Sequence, residues 1–256
     1  MTNEGENPLA RPAVPARFAE GEWTASAGVQ TGDDPYSPIL RASPGRPFLI
    51  AQLGQSLDGR IATVKGESQW INGSGALDHL HRLRALVDAV IVGAVTVIAD
   101  DPLLTVRRVP GKNPARVVID PTGRIPANAR CFACDGARRI VVTARGFRSA
   151  GGVEVIALSR RDRKIDCKEI TATLFRRGLK RLLIEGGPAT VSAFIDAGII
   201  DRLHLLVAPL ILGSGKIGLE LAPIARLAEA RRPKARVYEL SGGDVLFDCD
   251  MRQTRD

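Results

Sequence analysis

Aromatic residues make up only 4% of this 256-residue chain, which also holds just four cysteines and three histidines. So sparse a set of rings is poorly suited to stacking single-stranded bases. Four cysteines in a chain of this length do not make a disulfide scaffold, which points to a reducing, cytoplasmic setting. No apolar run approaches the ~20 residues of a membrane span. The first residues lack a basic end followed by an apolar stretch, so no secretory signal is expected. No strand is followed by G-x-G-x-x-G, the fingerprint of a Rossmann dinucleotide site. Gly213-Ser214-Gly215-Lys216 is not a P-loop, because Leu210 and Ile217 stand where that motif needs glycine and a hydroxyl. It is expected to be a glycine-rich loop. Cys131 and Cys134 form a lone C-x-x-C, and His79, His81 and His204 are not spaced to complete a zinc site, so no metal is expected. His79 and His81, two residues apart on a helix, point different ways and are expected at the surface.

What is present is an ordinary globular composition, 45% hydrophobic and 25% charged. The formal net charge of +8 is unevenly divided. Residues 1–45 hold three arginines against six acidic residues, a balance of −3 that leaves +11 on residues 46–256. A body this basic favours an anionic partner, and the scattered arginines suit a small phosphorylated ligand better than nucleic acid. Seven of the 16 prolines fall within residues 1–47, with no sustained period of 2 or 3.6. Residues 1–45 are therefore expected to form an irregular or disordered extension, and residues 46–256 the folded domain.

Continuous β-branched runs alternate with helical stretches along that domain. Strands are expected at Phe48 to Leu53, Asp88 to Gly93, Arg116 to Asp120, Arg139 to Thr143, Val153 to Ala157, Leu182 to Glu185 and Leu203 to Val207. Helices are expected from Gly75 to about Val87, capped by Ser74, from about Glu169 to Arg177, and from Pro188 to Ala197. Tyr238 to Leu240 and Val245 to Asp248 make a closing hairpin. The pattern predicts an α/β domain with a mostly parallel central sheet flanked by helices and an antiparallel C-terminal hairpin. Ligands in such sheets sit at the carboxyl ends of the strands, where this sequence places polar residues.

Glu185-Gly186-Gly187-Pro188 ends a strand and opens a helix. Glycines there allow a ligand close to the backbone, and helix-start N–H groups bind phosphate. The same four residues also suit a plain tight turn with a solvated glutamate. Arg84 and Arg107, with the Ser68 hydroxyl, are able to clamp a phosphate or to remain surface residues.

In order along the chain stand Ser56-Leu57-Asp58-Gly59-Arg60-Ile61-Ala62, Ser68-Gln69-Trp70-Ile71, Leu83-Arg84-Ala85, Asp88 to Gly93, Thr96 to Arg107, Arg116 to Asp120, Glu185-Gly186-Gly187 and Ala208-Pro209. Together they resemble the pyrimidine reductases of riboflavin biosynthesis, the reductase half of the bifunctional deaminase–reductase that also occurs alone. The resemblance spans roughly residues 47–251. It implies a dihydrofolate-reductase-like fold, a homodimer, and NADPH as hydride donor. It further implies reduction of the ribosyl group of a phosphoribosylamino-pyrimidine to a ribityl chain. Carried over by position, Ser68, Arg84, Leu104 and Arg107 hold the phosphorylated sugar, and Glu185 faces the pyrimidine. Gly54, Trp70, Thr96, Asp100, Gly187, Pro188, Ala189 and Thr190 line the NADPH site. Glu185 and Asp100 are the candidate catalytic carboxylates. No metal and no covalent nucleophile are needed, because holding two reacting carbons in contact is catalysis by proximity.

Three departures accompany the resemblance. Ala51-Gln52 replaces the Met-Lys of many bacterial members; stand-alone members that reduce before deamination are similar in having an amide there. Pro121 replaces a serine found near the cofactor in some members, leaving Arg124 and Arg145 as candidates for the 2′-phosphate. The chain has no H-x-E with P-C-x-x-C, the zinc deaminase signature. Two other functions remain on sequence grounds: a reductase of the same fold acting on another heterocycle, and a catalytically silent ligand-binding homologue.

Overall fold

The computed structural model describes residues 34–69, 71–144, 151–162 and 164–252. Trp70 and Arg145 lie outside the described residues. Thirteen strands and five α-helices follow one another in these residues. After α1 (Ser37–Leu40) come β1 (Phe48–Ser56), β2 (Arg60–Thr63), α2 (Ser74–Leu86), β3 (Ala89–Gly93) and α3 (Ala94–Asp100). The middle of the chain adds β4 (Ala115–Ile119), β5 (Arg139–Thr143), β6 (Glu154–Ala157), β7 (Arg160–Arg161), β8 (Lys164–Ile165) and α4 (Cys167–Arg176). Then come β9 (Arg181–Glu185), α5 (Pro188–Asp196), β10 (Arg202–Ala208), β11 (Gly215–Ile217), β12 (Lys234–Glu239) and β13 (Val245–Asp250).

Nine of these strands form one sheet in the order β12-β13-β10-β1-β9-β3-β4-β5-β6. Every neighbouring pair from β10 to β6 is parallel, whereas β13 and β12 join antiparallel at the other edge. This is the α/β architecture, with its closing hairpin, that the alternation of apolar runs implies. Side chains alternate across the sheet and divide the core in two. Leu49, Ala51 and Ile91 pack under α4 and α5 with Leu174, Val191 and Phe194. Phe48, Ile50 and Val90 pack on the other face with Leu83 of α2 and Val97 of α3.

Four local expectations are corrected. Ser74 does not cap α2; Gly73 holds that position, and its N–H donates to the Asp244 carboxylate at 2.6 Å. Residues 34–45, assigned to the irregular extension, include α1, and Tyr36 and Ile39 are buried in the core beside α2. Gly215 to Ile217 is a strand paired with β2, not simply a loop. His79 and His81 are both buried. Tyr36 Oη lies 2.8 Å from His79 Nδ1, His79 Nε2 lies 3.0 Å from His204 Nδ1, and His204 Nε2 lies 3.1 Å from Asp248 Oδ1. These contacts form one continuous chain from Tyr36 to Asp248, in which Asp248 accepts from His204 Nε2–H and the buried His79 stays neutral. Arg202 completes it with two hydrogen bonds to Asp248, so four elements are joined through polar groups sealed from water.

Candidate active site

A cavity of about 590 Å³ opens at the carboxyl ends of β1 and β9. β1 supplies Gln52 and Gly54, the segment before α2 supplies Ser68 and Asn72, and α2 supplies Ala76 and Leu80. Thr96 and Asp100 come from α3, Leu104 from the loop after it, and Glu185, Gly186 and Gly187 from the end of β9. The crevice lies where a parallel sheet presents its strand ends.

Glu185 is fixed by Arg84. Arg84 Nε donates to Glu185 Oε2 at 2.8 Å, and Nη2 donates to Oε1, a bidentate pair. Arg84 Nη1 donates to the Thr105 carbonyl at 3.0 Å. Arg84 is only 6% exposed. Burial opposes its charge, but the adjoining carboxylate outweighs that, and the guanidinium is held above its ordinary pKa. Arg84 therefore stands behind the cavity wall, with most of its donors engaged.

The loop after α3 is pinned at three points. Besides the bond from Arg84, Val106 N donates to Asn113 Oδ1 at 2.7 Å, and Arg107 N donates to His81 Nδ1 at 2.9 Å. Leu104 is buried with a φ of +55°, a conformation that an L-residue adopts only when its surroundings enforce it. Burial, with Arg84 and Arg107 nearby, pushes His81 down to about 4, so the ring stays neutral and Nδ1 remains an acceptor. Arg107 lies outside the cavity wall, and its guanidinium meets Thr105 Oγ1 at 2.5 Å.

The opposite wall rests on close backbone approach. Gly187 N donates to Thr96 Oγ1 at 2.9 Å, which binds the turn before α5 to α3. Gly186 has a φ of +141°, and a Cβ there would meet Thr96 Oγ1 at 3.2 Å. A Cβ on Gly54 would lie 2.0 Å from Asn72 Oδ1, so only glycine lets that amide reach the cavity.

The structure thus brings Ser68, Leu104, Glu185, Gly54, Thr96, Asp100 and Gly187 to one cavity. Arg84, Arg107, Pro188, Ala189 and Thr190 lie outside its lining. Gln52 is the residue whose placement adds most. It is only 7% exposed, it lines the cavity, and its side chain has no hydrogen-bond partner among the described residues. Its register partners are Glu185 on β9 and His204 on β10, so the three share one face. Sequence reasoning missed His81 and Asn113. No spacing signal marked either residue, because a histidine two positions from its neighbour on a helix points to a different face. Burial pushes the Cys131, Cys167 and Cys249 thiols up to about 11, which leaves them unreactive near neutrality. No group of three or more metal-ligating side chains occurs among the described residues.

Fold and cavity together define an α/β domain with a ligand site at the carboxyl ends of its central parallel strands. The RibD C-terminal domain model matches residues 47–238, and the chain belongs to that family. The chain is 36% identical to the 2,5-diamino-6-ribosylamino-4(3H)-pyrimidinone 5′-phosphate reductase of Methanothermobacter thermautotrophicus, over 81% of this chain and 99% of that protein. It is 34% identical to the riboflavin biosynthesis protein RibD of Aquifex aeolicus, over 79% of this chain but only 57% of that protein. This chain thus spans little more than half the length of that relative. A solved deaminase/reductase from Thermotoga maritima superposes with a TM-score of 0.69 at 31% identity, over 80% of this chain and 57% of that one. No helix among the described residues is long and apolar enough to cross a membrane.

Proposed function

We propose that this chain reduces the ribosyl group of a 5-phosphoribosylamino-pyrimidine to a ribityl chain, using NADPH, in riboflavin biosynthesis. The observation that carries this reading is the meeting, in one cavity, of Ser68, Leu104 and Glu185 on one side with Gly54, Thr96, Asp100 and Gly187 on the other. The first group is the substrate side and the second the cofactor side. The cofactor side fits a dinucleotide because its glycines leave the backbone open: a Cβ at Gly54 or Gly186 would fill the space against Asn72 or Thr96. The residues from Pro188 to Thr190, at the start of α5, continue that side. When bound, NADPH supplies hydride to C1′ of the ring-opened phosphoribosylamine.

The protein's own task is positioning and exclusion of water. Both Glu185 oxygens already accept from Arg84, and their remaining lone pairs are free to accept substrate N–H groups. A diaminopyrimidinone edge offers adjacent N–H donors, whereas a uracil edge places one N–H between two carbonyls. Glu185 with the neutral Gln52 amide therefore favours the pyrimidine before deamination. Arg84 and Arg107 flank the phosphorylated sugar. Asp100, exposed at the cavity mouth, is the carboxylate placed to exchange a proton with solvent. The enzyme works in the cytoplasm as a homodimer.

The test is NADPH oxidation with the phosphoribosylamino-pyrimidine before and after deamination, with NADH in parallel. Turnover with NADPH, faster on the undeaminated compound, is expected. No oxidation with either pyrimidine would overturn the reading.

A further inference from the structure

One buried carboxylate connects the closing hairpin to the cavity. Asp244 lies in the turn between β12 and β13 and is only 1% exposed. The turn is tight: Gly243 N donates to the Leu240 carbonyl at 3.1 Å, and Leu240 N donates to the Asp244 carbonyl at 2.8 Å. It is seated against the start of α2, where a Cβ on Gly75 would collide with the Ser241 carbonyl. Leu240 and Leu246 pack there with Ala76 and Leu206. The two Asp244 oxygens serve neighbouring residues. Oδ2 accepts from Gly73 N at 2.6 Å, and Oδ1 accepts from Asn72 Nδ2 at 3.4 Å. A carboxylate accepts and does not donate, so it selects one orientation of the Asn72 amide. The NH2 end faces Asp244, and the oxygen faces Gly54. Asn72 lines the cavity, and that oxygen accepts no hydrogen bond among the described residues.

We propose that Asp244 is a positioning residue for the cofactor: it holds the Asn72 amide so that Oδ1 faces the cavity as an acceptor for the N–H2 group of the nicotinamide carboxamide. The inference rests on the proposed nicotinamide cofactor, whose side of the cavity includes Gly54, and it adds two residues that the family resemblance did not bring forward. Asn72 and Asp244 are 172 residues apart in sequence, so the closing hairpin fixes a polar group beside the carboxyl end of β1. An acceptor held on the carboxamide sets the pose of a ring whose next carbon carries the hydride, which is catalysis by orientation.

The experiment measures binding by isothermal titration, without turnover, of oxidised NADP and of its 3-acetylpyridine analogue. In the analogue a methyl ketone replaces the carboxamide, and the N–H donors are lost. The wild-type protein should bind NADP about threefold to tenfold more tightly than the analogue, the worth of one neutral hydrogen bond. Asn72→Ala should bring the two affinities together. Asp244→Asn is the decisive variant. Its amide oxygen still accepts from Gly73 N, but its NH2 faces Asn72, which turns that amide over and presents donors to the cavity. Both compounds carry a carbonyl that such donors serve equally, so the preference should fall to about one. In the Asn72→Ala background, Asp244→Asn should change the ratio no further. A merely structural role would weaken both compounds alike and keep their ratio. A wild-type ratio in Asp244→Asn would therefore overturn the positioning role, and equal affinities in the wild-type protein would overturn the acceptor assignment. If the wild-type protein bound neither compound, the cofactor reading would fail, and this assignment with it.

Discussion

A guanidinium withdrawn from water organises the centre of the site, and its worth depends on the partner it keeps. Glu185→Gln leaves Arg84 buried beside a neutral amide. Removing one partner of a buried pair costs about 3–5 kcal/mol, whereas replacing both with neutral groups of similar volume is far milder. Thermal denaturation should show Tm falling on the order of 10 °C in Glu185→Gln, and recovering in part when Arg84→Met is added. A Tm unaffected by Glu185→Gln would contradict the pairing. His81 works one step further out. Its Nδ1 is the acceptor for the Arg107 N–H, so an amide oxygen at the same place is a fair substitute and an alkyl group is not. His81→Leu should raise KM for the phosphorylated substrate about tenfold with kcat little changed, and His81→Asn should restore most of the loss. Equal KM values for the two variants would show that His81 serves packing alone.

Among the elements, α1 shows how a short segment gains its place. It has one turn, and Pro38 is tolerated because it falls in the first positions of the helix. Its stability comes from Ile39, 1% exposed against the α2 face, and from the Tyr36 bond to His79. Ile39→Ala should cost about 2–5 kcal/mol, while the exposed neighbour Leu40→Ala should stay within about 0.5 kcal/mol. Chemical denaturation of the two variants checks this, and equal stabilities would return α1 to a mere tail. The proline count hid this element, because a single turn carries too few residues for a period to emerge. The sheet strands were legible for the opposite reason: strands covered on both faces are continuous apolar runs, as in Val90-Ile91-Val92 and Leu182-Leu183-Ile184. α3 was not legible as a helix. Val95, Thr96, Val97 and Ile98 favour a strand, and only the packing of Ala94 and Val97 on the core overrides that local preference. Glu185 and the glycine turn were visible as a motif, yet their partners were not. Arg84 with Glu185, and Thr96 with Gly187, are joined across about ninety to a hundred residues of sequence, a distance that spacing cannot bridge.

The whole molecule carries an excess of positive charge, +8 with neutral histidines, yet it folds around two histidines that must stay uncharged. Burial, with His204 and Arg82 nearby, holds His79 well below its ordinary pKa, and burial with Arg84 and Arg107 holds His81 at about 4. The unfolded chain protonates both rings near pH 6.5. As pH falls through 6.5, the unfolded state therefore binds protons that the folded state refuses, and stability declines. The slope approaches about 1.4 kcal/mol per pH unit for each ring once the pH is well below 6.5. For His81 the loss ends near pH 4, where the folded ring also takes a proton. Asp248, Asp58 and Asp250 have carboxyls held below the ordinary range, Asp58 and Asp250 at about 2. Their stabilising contributions are fully present above pH 4 and are lost only below it, so they do not blur the window between pH 6.5 and 4.5. Denaturant midpoints measured across that window should fall steadily with acidification and stay flat from pH 7 to 8. His81→Asn should remove about half of the slope while leaving the His79 share. A midpoint that held level down to pH 5 would mean that the two rings are not sealed as neutral groups, and the donor chain through His79 and His204 would have to be redrawn.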